Sequence, residues 1–183
     1  MCRVSDEQDH PANRRIDRIR EADFVEGIDA LSLQDLRARR DECLAEREYL
    51  SLLRRLVQGR AEILQAELES RGDDGDRASL VERLSTILAG DEPQTASRGE
   101  AVRVGLPEDE MLIARRRIER LVSDAGISDP TELDDERLAA AVELLTAEEH
   151  EVSTARGDVI GVLDTLQTEL MRRYKDDPTL VLQ

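Results

Sequence analysis

The sequence predicts an all-α protein: an antiparallel coiled-coil hairpin of two long helices, with short helices between them. Three observations carry that expectation. Apolar residues recur at spacings of three and four along two stretches, Leu50, Leu53, Val57 and Leu64 in one and Val152, Ala155, Val159, Val162 and Leu166 in the other. That is the pattern of a helix lying along a partner helix. The two stretches are also related, because a shift of 102 residues lays Arg47 to Glu62 on Glu149 to Asp164 with the polar positions in register. Finally, charged residues make up 37% of the 183 and aromatics 2%, with no Trp, which suits long helices with narrow seams better than a thick core.

Taken in order, residues 1–27 are polar and irregular and are expected to form a disordered tail. A helical domain then spans 28–178. Ser32 is a good N-cap with Asp35 in the first turn, and the first long helix is expected over 32–71, ending in Gly72-Asp-Asp-Gly75. A helix of that length spans about 60 Å at 1.5 Å per residue, which favours a coiled coil. Residues 78–89 read as a short amphipathic helix closed by Gly90. Its face of Leu80, Val81, Leu84 and Leu88 is expected to pack on the hairpin or to dock on a partner. A Gly/Ser/Thr/Pro-containing linker follows over 91–105. Pro107 suits the start of a helix over 108–123, whose Arg115, Arg116, Arg117 and Arg120 are read as salt-bridging to the acidic remainder. After a break at Ala125–Pro130, the second long helix is expected over 133–175. Asp176-Asp-Pro178 ends it, leaving 179–183 as a C-terminal tail.

A formal charge of −16 argues against direct nucleic-acid binding, which needs a basic footprint, and favours a basic partner. Lys175 is the only lysine, so the basic side is almost wholly arginine, whose planar fork of donors suits guanine edges, phosphates and carboxylates. Cys2 and Cys43 are too dispersed for a disulfide framework or a zinc site, and His10 and His150 have no paired ligand spacing. No apolar run approaches a membrane span and no signal-peptide core is present, so the chain reads as cytoplasmic. With no Gly-rich phosphate loop, no nucleophile beside a base and no metal cluster, nothing points to an enzyme.

The repeated stretch holds the candidate site. Arg47, Ser51, Arg54, Gln58 and Glu62 in the first copy meet Glu149, Ser153, Arg156, Ile160 and Asp164 in the second. Spacings of 4, 3, 4 and 4 keep each set on one helix face, beside the apolar seam. Gly59 meets Gly161, and the match continues through Leu64/Leu166, Glu67/Glu169 and Arg71/Arg173 and back to Leu36/Leu138 and Leu31/Leu133. Such a flank can be a solvated line of charges that only forms inter-helix salt bridges. Its repetition in one register favours a ligand.

The pattern resembles the cyclic-di-GMP signature of the RsiG anti-sigma factors of actinobacteria, E-x3-S-x2-R-x3-Q-x3-D, present once on each of two long helices. The second copy matches with Glu149, Ser153, Arg156 and Asp164 and departs at Ile160; the first matches with Ser51, Arg54 and Gln58, has Glu62 for Asp, and departs at Arg47. The resemblance covers roughly residues 30–178 and takes in LVERLSTILAG and RRYKDDP. It implies an anti-sigma factor that sequesters a WhiG-type sigma factor, with cyclic di-GMP, as a ligand dimer, between the motif-bearing helices.

The chemistry of the residues fits such a ligand. Arg54 or Arg156 can fork onto guanine N7 and O6, or contact phosphate. Glu62 and Asp164 can accept from N1 and the exocyclic amine, and Ser51 and Ser153 can donate to phosphate oxygens. Gly59 and Gly161 remove side-chain bulk where a planar base can approach. Arg47 can face phosphate or a neighbouring carboxylate, whereas Ile160 offers only apolar cover. Two rivals stand beside this reading: a coiled-coil adaptor with no nucleotide ligand, and a nucleotide sensor whose partner is not a sigma factor.

Overall fold

The computed structural model describes residues 11–72, 106–127 and 130–182; the expected helix over 78–89 and linker over 91–105 lie outside the described residues. Four α-helices are found there: α1 Pro11–Arg20, α2 Leu33–Gly72, α3 Glu108–Asp124 and α4 Asp135–Asp176. 3-10 turns at Ala22–Phe24, Ile28–Ala30, Pro130–Glu132 and Pro178–Leu182 complete the described chain, which contains no strand. The protein is all-α, as expected, and its two long helices pair as a hairpin.

The long helices start where backbone donors find acceptors. The Ser32 hydroxyl accepts from the Asp35 amide at 3.0 Å and donates to the Asp35 carboxylate at 2.6 Å, closing the first turn of α2. Asp134 does the same for α4, accepting from the Arg137 amide at 2.8 Å. Because Asp134 is the cap and Pro130–Glu132 winds as a 3-10 turn, α4 begins two residues later than the expected Leu133.

The chain divides into two compact units, a discontinuous one of Met1–Glu48 with Thr154–Gln183 and a contiguous one of Tyr49–Ser153. In the contiguous unit the end of α2 meets the start of α4. Arg71 donates to the carbonyls of Leu133 and Pro130 at 2.6 and 2.9 Å and pairs with Asp135 at 3.2 Å. Leu53, Val57, Leu138 and Leu145 are sealed in its core, and Ile118 of α3 is buried as well. In the discontinuous unit the end of α4 meets the start of α2. Arg173 donates to the carbonyls of Leu31 and Ile28, both at 2.7 Å, over a core that includes Leu36, Cys43, Val159 and Leu166.

Within α4 the seam is shifted from the expected one. Val152, Val159 and Leu166 are buried as foreseen, but Ala155 and Val162 are only half-buried and Leu163 is buried instead. The seam of α2 holds at all four positions, Leu50, Leu53, Val57 and Leu64.

Two boundaries need correction. Residues 11–27 are not a disordered tail: α1 docks Ile19 and the following turn docks Phe24 into the discontinuous unit, both buried. The arginines that made this stretch look solvated are held by carboxylates of the unit. Arg15 pairs with the buried Glu46 at 2.5 Å, Arg18 pairs with Glu42, and Arg20 reaches Asp158 at 2.9 Å. The expected tail at 179–183 also begins in structure, since Pro178–Leu182 is a 3-10 turn and Arg37 donates to the Leu180 carbonyl at 2.7 Å.

The two units follow one plan, and the sequence repeat is longer than its motif. Moving by 102 residues carries Ser32 onto Asp134, the turn at Ile28 onto that at Pro130, and the Arg71 contacts onto those of Arg173 with the copies exchanged. The same shift carries Arg15 and Glu46 onto Arg117 and Glu148, which pair at 2.8 Å between α3 and α4. RRIDRI in α1 and RRIERL in α3 are therefore the same piece. The expected salt-bridging of the α3 arginines is met by Arg117, whereas Arg115 and Arg116 are exposed.

Cys43 illustrates how closed the core is. It is fully buried, and burial, reinforced by the Glu42 and Glu46 carboxylates, pushes its thiol up to about 12. With Cys2 replaced by Ser, the native chain is expected to resist alkylation near pH 8 and to react only on unfolding. Rapid labelling of the folded protein would contradict the burial.

Candidate ligand-binding site

The stripe residues sit where their spacing places them, along one flank of each long helix. In the contiguous unit α2 supplies Ser51, Arg54, Gln58 and Glu62, and α4 supplies Glu149 and Ser153. Arg47, Arg156 and Asp164 belong to the discontinuous unit.

The structure brings Arg54 to Glu149 and Gln58 to Glu62. Arg54 donates through Nε to Glu149 Oε1 at 2.7 Å, across the two long helices. The Arg54 side chain stays 41% exposed and Glu149 26%, so the pair lies open to solvent. Among the described residues the bond uses Nε, and the Nη groups of the fork carry further donors. Gln58 donates to Glu62 at 3.0 Å, one helical turn along the same face. Arg47 lies along its neighbour Glu48, with Nη2 at 2.9 Å. Ser51, Ser153 and Arg156 are half-buried and Asp164 is exposed. Half-buried Ile160 keeps to its apolar character.

The glycines carry further information. A methyl group added at Gly59, Gly157 or Gly161 would meet no atom within 4 Å. Packing therefore does not require glycine there, although glycine inside a helix is less stable than alanine. Gly59→Ala and Gly161→Ala are each expected to stabilise the ligand-free chain by about 0.5–1 kcal/mol, read as a rise in melting temperature. A fall would mean that the space is filled in the native state. Gly157 was not singled out from the sequence; its place beside Arg156 in the open flank is what marks it.

Sequence reasoning also missed Glu46 and Glu148. Both sit in the middle of a long helix on the seam side, where a carboxylate looks like an ordinary flank charge. Each is held by an arginine of a short helix. The signal was present: RRI-acid-R at the same shift of 102 residues as the motif.

Among the described residues no group of His, Cys, Asp and Glu could hold a metal ion, and no helix is long and apolar enough to cross a membrane.

With this geometry in place, the comparison with protein families can be read onto it. Residues 22–88 match a family described as RsiG-like. The chain is RsiG-like over that span. The RsiG-like segment runs from the turn before α2 through the whole of α2, and so includes the first copy of the stripe and the cap at Ser32. This is the family whose signature the doubled stripe resembles. The second copy, on α4, lies beyond the matched residues. No curated protein matches the chain.

Proposed function

We propose that this protein is an anti-sigma factor that binds cyclic di-GMP along its doubled stripe and, with the ligand bound, sequesters a WhiG-type sigma factor. The RsiG-like segment supports the anti-sigma role. The observation that carries the nucleotide half is the Arg54–Glu149 pair. That contact joins the two copies across the long helices and stays open to solvent, and a methyl group added at Gly59, Gly157 or Gly161 would meet nothing within 4 Å.

In this reading Glu149 holds the guanidinium of Arg54 at Nε, so that the outer edge of the fork can take guanine N7 and O6. Glu62 and Asp164 accept from N1 and the exocyclic amine, Gln58 steadies Glu62, and Ser51 and Ser153 donate to phosphate oxygens. The base lies over the glycine backbone. A pair of nucleotides uses both copies of the stripe.

Calorimetric titration of cyclic di-GMP into the full chain, alone and with a WhiG-type sigma factor, tests this directly. Selective binding over linear and adenine analogues is the expected result. Arg54→Ala, Arg156→Ala and Asp164→Ala are each expected to weaken it by about 1–3 kcal/mol, roughly 5- to 150-fold. Absence of binding in both settings, with the chain folded, would overturn the nucleotide half. It would leave the coiled-coil adaptor, which one observation favours: Arg54 and Glu149 already pair with each other across the helices. Failure of the sigma factor to co-purify, with binding intact, would leave a nucleotide sensor with another partner.

A further inference from the structure

The outer face of α3 carries a pattern that complements itself. Glu108, Asp109, Leu112, Arg115, Arg116 and Glu119 are all exposed. At 3.6 residues per turn they lie within about a third of the helix circumference. Leu112 stands at the middle of that face and is 44% exposed. Two carboxylates precede it by four and three residues, and two guanidiniums follow it by three and four. The third arginine of the run, Arg117, is instead half-buried and pairs with Glu148. Among the described residues no ion pair involves the five charged members of the face. The pattern is particular to α3. A shift of 102 residues matches Asp6, Glu7 and Arg14 to Glu108, Asp109 and Arg116, but puts His10 at Leu112 and Asn13 at Arg115.

A face that runs from acid through leucine to base is its own complement when reversed. With a second copy antiparallel across Leu112, Glu108 meets Arg116 of the copy and Asp109 meets Arg115 of the copy. The two-fold axis then repeats both pairs, which is the isologous contact of a symmetric dimer. A parallel copy sets like charge on like. Leucine against leucine takes apolar surface out of water at the centre, and the flanking charges fix direction and register. The chain carries −16, which keeps copies apart at long range. One pair of helices also buries less than the roughly 1,200 Å² of a standard interface. The dimer is therefore weak, with a dissociation constant on the order of 100 µM.

We infer that α3 is a self-association surface, on which two copies of this chain pair antiparallel through Leu112. The surface shares no residue with the doubled stripe. Its test needs neither nucleotide nor sigma factor, and it stands or falls apart from the function proposed above.

The experiment is sedimentation equilibrium of the full chain from about 10 µM to about 1 mM, a range that brackets the expected dissociation constant. Arg116→Glu is expected to weaken the dimer about tenfold or more, because it sets carboxylate against carboxylate twice. Glu108→Arg combined with Arg116→Glu reverses both members of the pair and is expected to restore dimerisation to within about threefold. These side chains are exposed, and unchanged helical circular dichroism confirms that each variant folds. Register is read by cross-linking in a Cys2→Ser background, where Cys43 is buried. Leu112→Cys places its sulfur on the two-fold axis and is expected to link the copies. Glu119→Cys is expected not to, since its two positions lie about 21 Å apart along the helix at 1.5 Å per residue. A native chain that stays monomeric throughout overturns the surface. So does undiminished dimerisation of Arg116→Glu, a double variant no better than the single one, or equal cross-linking at the two positions.

Discussion

Leu138→Ala and Leu36→Ala are each expected to destabilise the protein by about 2–5 kcal/mol, the range for truncating a closed leucine site. Both side chains are fully buried, with 0% exposure. They hold the same place in the two units, in the first turn of α4 and of α2, one residue past the shared capping hydrogen bond. A chain with so few aromatics and such narrow seams has little spare apolar burial to absorb the loss. Urea unfolding followed by helical circular dichroism measures the change. A cost under about 1 kcal/mol at either position would mean that its core collapses around the cavity or is not closed there.

The second large effect is expected at Arg173. Its guanidinium donates to the carbonyls of Leu31 and Ile28 at 2.7 Å and to Glu169 at 2.7 Å, and its side chain is 15% exposed. Removing it strands turn carbonyls and a carboxylate with much of their desolvation in place. Arg173→Ala is expected to cost about 2–4 kcal/mol on the usual scale for charge-assisted hydrogen bonds. Arg71→Ala, its counterpart, acts in the same direction.

Glu169 adds a pH dependence. Hydrogen bonds from Arg172 and then Arg173 hold its carboxyl down at about 2, against 4.5 for the free group. A carboxyl whose native value lies below its unfolded one contributes its full stability above the unfolded value. That contribution is lost as the pH falls from 4.5 towards 2. Glu169→Gln is expected to lose stability at neutral pH and to flatten the acid limb over that window. An unchanged acid limb would show that the arginines do not favour the ionised carboxylate.

Much of this was legible in the chain. The heptad stripes located both long helices to within one or two residues, because a narrow seam demands strict periodicity. Ser32 was recognisable as a cap because its hydroxyl chemistry is local. α1 was not, because polar composition over a short window cannot reveal that Arg15, Arg18 and Arg20 are matched by carboxylates far along the chain. Comparing RRIDRI with RRIERL would have revealed it. The seam of α4 slipped at Ala155 and Val162 because a straight helix drifts against a seven-residue repeat, so Leu163 turns inward instead. In the site, the line of motif residues was legible from one helix, but the meeting of Arg54 with Glu149 was not. That contact depends on how the two helices are matched along their length, which neither helix specifies by itself.

The division of the chain also sets an order of assembly. Residues 49–153 form a unit from one uninterrupted stretch, whereas 1–48 must wait for 154–183. During synthesis, therefore, α1 and the first turns of α2 leave the ribosome long before the segment that covers Leu36 and Cys43 exists. Completion of the contiguous unit shortens the loop that must then be closed. It gathers the intervening chain and lowers the entropy lost in bringing the two distant segments together. The nascent protein thus carries an unfinished acidic and apolar edge until its last helix emerges.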